Sequence, residues 1–539
     1  MNNKEIALII HNSSGNFQSD FVKAVWNISV SDGFSLKVLP VEGADKYSAY
    51  NSAMKNSDAK YKIYLDENAV IANEIFLYDV IKIFESDEKI GVIGTSGAVE
   101  LSTHGIYINS AKRCGKILMG EGETNLNLQN WGNFEGNFCE VEIIDGWFIA
   151  TQYDIDWRTE FKTFSDAAQC LEFKRLGYKV VVAKQDKPFI WFKSNNIKLD
   201  EPDRKKFFQE YSKDIFPLVS VIIPTFNRPK FFKEALESVL NQTYRNFEIV
   251  VSDDGTNDET ENFIQPYLEK YPCIKYFRNK GFTSHDNWNF LRAYNNPDAE
   301  YVNWLMDDDL FYPRKLEVMV EIYRNNPDVS LVTSSKSFMN VEGMVGGSTQ
   351  KFNNGKNLKT SGDEAARFLF SANNYIGEPT TVLIRKKFLR DNDLNWNEDE
   401  KGFFSLVDVS TWLQLLTKGN FFRSTDVLSA QRLHEGQGSH WENTDILWAV
   451  NYIKLFKTAL DKKVFFHTYE EKYSAVLFLI KDSLDKLANA YNKKNHSAEV
   501  ETLEKYLAIL TQYLANGCDN MEQLPKIKYS EQDNFNKMG

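Results

Sequence analysis

Val219-Ser-Val-Ile-Ile-Pro-Thr-Phe-Asn-Arg228 is the stretch on which the reading of this 539-residue chain turns. A short apolar run stopped by Pro224 predicts a buried strand. Pro229 then opens a predicted helix to Leu240, because proline is tolerated at the first helical position. Phe247-Glu-Ile-Val-Val251 predicts a second strand, ending in Ser252-Asp-Asp-Gly255. Strand, helix, strand implies a parallel pair with a right-handed crossover.

The same grammar extends in both directions. Toward the C-terminus, Tyr301-Val-Asn-Trp-Leu-Met-Asp-Asp308 precedes a helical pattern and then Val329-Ser-Leu-Val332. Toward the N-terminus, Tyr61-Lys-Ile-Tyr-Leu-Asp-Glu-Asn68 precedes another and then Ile90-Gly-Val-Ile93. Leu65 and Ile90 are 25 positions apart, Leu305 and Val329 are 24, so one α/β fold is predicted twice in tandem. The expected divisions are a first module over 1–197, a charged linker with an aromatic helix over 198–216, a second module over 217–440 and a helical region over 441–539. In that last region Leu503, Tyr506, Leu507, Leu510 and Leu514 recur three and four apart, which predicts an α-helical hairpin from Tyr469 to Tyr491 and Ala498 to Leu514.

Composition narrows the function. Acidic residues outnumber basic ones, 75 to 63, so a nucleic-acid partner is not expected, and any phosphate the chain handles is expected to arrive with a cation. The apolar run Ile6 to Ile10 is too short for a leader, and no stretch is long enough to span a membrane. The 5 cysteines show no CxxC spacing, which argues against a disulfide framework or a structural zinc and points to a cytoplasmic protein.

The chemistry concentrates where Asn303-Trp-Leu-Met-Asp-Asp-Asp-Leu310 carries an apolar strand into three carboxylates. Like charges at a strand end cost stability unless something neutralises them. Oxygen ligands of this kind suit Mg²⁺ or Mn²⁺ carrying a diphosphate; a solvated acidic turn opening the next helix is the plainer alternative. Asp253-Asp254-Gly255 is placed at the same edge of the same sheet, where a carboxylate can accept from a base or a ribose hydroxyl. An Asx turn closed by Gly255 would also explain it.

These motifs in this order, with Ser238-Val-Leu-Asn-Gln-Thr-Tyr244 between them, resemble the family 2 glycosyltransferases of the GT-A fold over roughly Pro217 to Ser439. The resemblance implies an inverting, metal-dependent transfer of a sugar from a nucleoside diphosphate, most often UDP, to an acceptor hydroxyl of a surface glycan or glycoprotein. It assigns Pro224, Thr225, Asn227, Arg228, Asp254, Asn287 and Asp307 to the donor, and Asp308, Asp309 and His434 to a Mn²⁺ or Mg²⁺ ion. Met306 stands where many members carry aspartate, and Asp286 where many carry arginine. The resemblance also implies a catalytic base, and Asp408, ahead of the apolar helix Val409 to Leu416, is the expected one; Glu378 of Gly377-Glu-Pro379 is the reserve. Arg432-Leu-His434 resembles the late Arg-x-His motif, and Glu435 to Ser439 a loop that folds over the diphosphate. Trp304, Trp412 and Trp441 are candidates to stack on a sugar, though most of the aromatics are expected in the core.

The first module resembles glycosyltransferase-like modules of bacterial two-module enzymes through Tyr50-Asn51, Tyr61 to Asn68 and Ile144-Asp-Gly-Trp147. By the repeat register Asn68 takes the place of Asp308, and an amide lacks the charge a divalent ion needs, so this module is expected to be non-catalytic or to handle acceptor. Asp66, Glu67 and Asp166 keep an active module open. Two other readings stand beside the transferase: a nucleotidyltransferase, disfavoured because Pro224 to Arg228 is not a glycine-rich basic loop, and a carbohydrate-binding scaffold. The C-terminal helices could serve a protein acceptor, a homo-oligomer or a membrane surface.

Overall fold

The run after Pro217 forms the strand Leu218–Thr225, buried along almost all of its length, as an unbroken β-branched sequence between two helical layers requires. The structure is a computed structural model and describes residues 2–13, 24–43, 45–120, 126–133, 135–193, 200–282, 284–349, 352–371, 374–389, 406–435 and 443–525. Two compact units divide at residue 216/217.

In the second unit the sheet runs, from one edge, Ile274–Arg278, Phe247–Asp253, Leu218–Thr225, Ala299–Trp304, Val382–Arg385, Val329–Met339, Asn420–Arg432. The first four strands are parallel. Val382–Arg385 is antiparallel to both its neighbours, and the long pair Val329–Met339 and Asn420–Arg432 is parallel again. Helix Pro229–Leu240 makes the first crossover, buried through Phe232, Ala235, Leu236 and Val239. The carboxyl ends of Leu218–Thr225, Phe247–Asp253 and Ala299–Trp304 therefore meet at one edge, the place where open α/β sheets bind ligands.

In the first unit the order is Ser35–Glu42, Asn2–Asn12, Ala59–Leu65, Phe148–Thr151, Ile90–Gly94, Lys179–Ala183. Strand for strand, the directions repeat those of the second unit from Phe247–Asp253 onward: parallel, parallel, antiparallel, antiparallel, parallel. The tandem α/β architecture expected from the spacing is present, and it is GT-A-like as the resemblance implies. A second, smaller sheet built from Ala69–Ile71, Ser96–Ala98, Arg113–Gly120, Ile143–Ile144 and Ile190–Lys193 was not foreseen. Its strands are short and mostly lack alternation.

Two expectations are corrected. The aromatic helix of the proposed linker, Glu201–Ile215, is built into the first unit: Phe207 stacks on Phe164 with ring centres 4.9 Å apart, and Asp203 accepts from the Lys162 and Thr163 amides at 3.0 and 2.7 Å. Aromatic side chains on one helix face demand such cover. Second, the C-terminal region holds three helices: Thr444–Asp461, which was not expected, and then Tyr469–Asn492 and Ala498–Ala515, the hairpin that was. The first escapes a periodicity reading because it is buried nearly all round. All three share one hydrophobic cluster with Val409, Trp412 and Leu413 of helix Val407–Leu416. Among the described residues no helix is long and apolar enough to cross a membrane.

Candidate active site

The carboxylates after Ala299–Trp304 do different jobs. Asp307 is turned back under the first-strand loop: its Oδ2 accepts from the Thr225 hydroxyl at 3.0 Å and the Phe226 amide at 3.4 Å. Burial, and then the charge of Asp308, push its carboxyl up to about 7. Asp308 faces His434, with Oδ2 and Nε2 2.9 Å apart, and the Arg228 guanidinium lies 3.3 Å from the same oxygen and 3.6 Å from Asp307. Asp309 departs from the metal-ligand expectation. Its Oδ2 accepts from the Thr380 hydroxyl at 2.6 Å and its Oδ1 from the Arg432 amide at 3.0 Å, and only 3% of the residue is exposed. Both oxygens are thus spent on holding two loops together, and burial raises this carboxyl strongly.

The Arg-x-His motif resolves into a strut and a working ring. Arg432, 0% exposed, donates from Nε to the Asp308 carbonyl at 3.0 Å, from a terminal nitrogen to the Asn340 and Val341 carbonyls, and from the other to Glu234 at 2.5 Å. A buried guanidinium with every edge engaged fixes the backbone of its partners. His434, two residues on, is left beside Asp308 with its ring 5.5 Å from that of Phe231. The loop expected over the diphosphate lies, apart from Glu435, outside the described residues, as does Trp441.

On the second strand Asp253 is structural, bonded to Tyr276 at 2.6 Å, Gly255 N at 2.8 Å and Arg278 at 3.1 Å. Asp254 accepts from the Asn287 amide at 2.8 Å, and burial raises it to about 6. Asn287 is held in turn by Ser252, to whose carbonyl it donates at 3.2 Å. Asn227, left-handed at φ 50°, ties the two loops by accepting from the Thr256 amide and donating to its hydroxyl, each at 2.9 Å. It thus positions the pocket wall. Pro224, half-buried between Ile223 and the buried Thr225, lies opposite Ser252.

Asp408 sits in the first turn of helix Val407–Leu416 and accepts from the Asn374 amide at 3.2 Å. Burial first, and then the nearby Glu378 charge, raise it to about 6. Sequence reasoning missed its neighbour Lys336, a mostly buried lysine on Val329–Met339 that pairs with Glu378 and donates to Gln431 at 2.7 Å. A lone lysine inside Val329-Ser-Leu-Val-Thr-Ser-Ser-Lys336 was the available signal. Trp304 and Trp412, 1% and 0% exposed, pack against each other at 6.3 Å and cannot stack on a sugar; the Trp412 indole donates to the Gly377 carbonyl instead. The motif around Ser238 is explained by Gln242, which donates to the Tyr312 carbonyl at 2.8 Å and accepts from the Leu316 amide at 3.0 Å, clamping the turn after the carboxylates.

Among the described residues no three His, Cys, Asp or Glu side chains form a ready metal cage. The pair Asp308 and His434 fits Mg²⁺ or Mn²⁺ all the same, since these ions commonly take one or two protein ligands and complete their shell with phosphate and water.

In the first unit the charges at the equivalent corner are paired within the chain. Asp66 is paired with Lys46 at 2.9 Å and accepts from both nitrogens of Asn68 at 3.0 Å. Glu67 is taken by Ser13. Asp145 accepts five hydrogen bonds from Thr95, Ser96, Trp147 and Phe148 and so shapes the Gly146-Trp147 turn.

Residues 7–211 match the family described as glycosyltransferase like family, and residues 220–393 match glycosyl transferase family 2. An uncharacterized glycosyltransferase of Rickettsia typhi is 42% identical over 115 residues, 21% of this chain and 35% of the relative. The GalNAc(5)-diNAcBac-PP-undecaprenol beta-1,3-glucosyltransferase of Campylobacter jejuni is 29% identical over 206 residues, 38% of this chain and 62% of that protein. The chain spans about a third of the length of several curated relatives it matches, 35% and 36% in the Rickettsia proteins. Among solved structures, S. aureus TarS 1–349 in complex with UDP aligns at TM-score 0.39 and 16% identity over 56% of this chain and 87% of that one. A glycosyltransferase-like domain is thus recognised in the first unit and a glycosyl transferase family 2 domain in the second.

Proposed function

We propose that the second unit transfers a sugar from a nucleoside diphosphate, UDP in the first instance, to an acceptor hydroxyl with inversion at the anomeric carbon. The observation that carries this reading is the Asp308–His434 pair, 2.9 Å apart, in the unit that also presents Asp254 at the same sheet edge and Asp408 on helix Val407–Leu416. Asp254, oriented by Asn287, accepts from the nucleoside, while Thr225 and the Phe226 amide set Asp307 beside it. Asp308 and His434 would hold Mg²⁺ or Mn²⁺, and such an ion neutralises the charge that builds on the departing diphosphate. Arg228, within 3.3 Å of Asp308, adds fixed positive charge at the same point.

Asp408 takes the proton of the attacking hydroxyl, and its raised pKa, about 6, leaves it ionised at neutral pH yet more basic than an ordinary carboxylate. Glu378, neutralised by Lys336, lines the acceptor side. The acceptor is a bacterial surface glycan or a glycoprotein. UDP titrated into the protein with Mn²⁺ should bind, and EDTA should abolish binding; a screen of sugar nucleotides for slow hydrolysis then names the donor. Metal-independent or absent UDP binding would overturn the reading.

A further inference from the structure

The first unit contains a cavity of about 300 Å³ whose wall includes Lys46, Tyr47, Asp66, Trp147, Lys162 and Asp166, a size at the lower end of small-ligand sites. Its position is telling. Asp166 is the second residue of helix Ser165–Arg175, which leads into the last parallel strand, just as Asp408 is the second residue of the helix leading into Asn420–Arg432. Gly146, before the antiparallel strand, stands where Gly377 stands in the other unit. A Cβ on Gly146 would lie 2.0 Å from Asp166 Oδ2, so only glycine leaves that carboxylate its place.

The other end of the cavity differs. Where the second unit has Met306 and then the ion-facing Asp308, the first has Asp66 locked to the Lys46 ammonium at 2.9 Å. The cation is therefore part of the chain, and Asn68 adds no charge. Two lysines and two aspartates balance, which favours an uncharged polyhydroxylated ligand over a diphosphate. Trp147, backed by Phe192 at 3.9 Å, and Tyr47, backed by Trp157 at 5.5 Å, supply rigid aromatic walls of the kind sugar rings pack on.

We propose that the first unit is a saccharide-binding site that needs no divalent ion, holding a neutral sugar ring between Lys46, Asp66 and Asp166 and the rings of Tyr47 and Trp147. It stands independently of the transferase reading of the second unit. The test is saturation-transfer NMR and calorimetry on the full chain in EDTA. The probes are glucose, galactose, N-acetylglucosamine, N-acetylgalactosamine and their β-linked disaccharides. At least one sugar should bind, equally well in an Asp308→Ala variant, and at least tenfold more weakly in Lys46→Met and Asp166→Ala. Because these buried changes could unfold the unit, Lys162→Glu on the exposed rim is the companion: its melting temperature should stay native while affinity falls at least threefold. No sugar binding in EDTA, unchanged affinity in natively melting variants, or displacement of the sugar by UDP would each overturn the proposal, whereas loss of Mn²⁺-linked UDP binding alone would count only against the second unit.

Discussion

The two units fold the same strand order around different electrostatics. At the end of its carboxylate strand the second unit leaves Asp308 facing a histidine, while the first ties Asp66 to a lysine of its own. Backbone topology is thus cheap to duplicate, and a change at a few side chains decides whether the charge at that corner comes from the solvent or from the chain.

The hardest blow to this contrast is Asp408→Asn. Turnover should fall by about 10²–10⁴, the usual contribution of a positioned base, with UDP and metal binding intact. Steady-state transfer assays check it, and unchanged turnover would show that Asp408 is not the base. His434→Ala should weaken Mn²⁺-linked UDP affinity by at least about tenfold to a hundredfold, the range seen when even an outer partner of a metal ligand is lost. Its mirror is Asn68→Asp in the first unit. Asp66 remains paired with Lys46, so calorimetry should show no additional Mn²⁺ site; a second site would erase the distinction.

The pH behaviour of Asp408 sharpens it further. Burial disfavours its ionised form, so activity should drop as pH falls through about 6. The same shift makes the ionised side chain a cost to the fold above its unfolded value. Asp408→Asn should therefore melt higher than the parent at pH 7.5, the gap closing toward pH 4. The smallest effect is on stability alone: Gln242→Ala strands the buried Leu316 amide, while the Tyr312 carbonyl keeps its bond from the Lys315 amide, and should cost about 1–3 kcal/mol in chemical denaturation, without altering the first unit.

Much of this was legible in the chain. Helix Pro229–Leu240 begins and ends where its proline and periodicity say, and the strands leading to Asp254 and Asp307 follow their apolar runs. What stayed hidden depends on contacts distant in sequence. The side-chain roles within Asp307-Asp308-Asp309 are set by Thr225, His434 and Thr380, none of them near in sequence. Lys336 gains meaning only when Glu378 is brought to it. The helix Thr444–Asp461 keeps only a narrow polar stripe, Asn451, Lys454, Thr458 and Asp461, to announce it, because its surroundings are protein on most sides.

That helix carries a consequence for anyone who would trim or transplant the catalytic half. Leu447, Val450 and Phe456 share their packing with Trp412 and Leu413, the underside of the helix that carries Asp408. A polypeptide ended after residue 435 would not be a leaner enzyme but one whose proposed base, Asp408, rides on an unsupported shelf, and grafting this unit onto another scaffold means moving the tail with it.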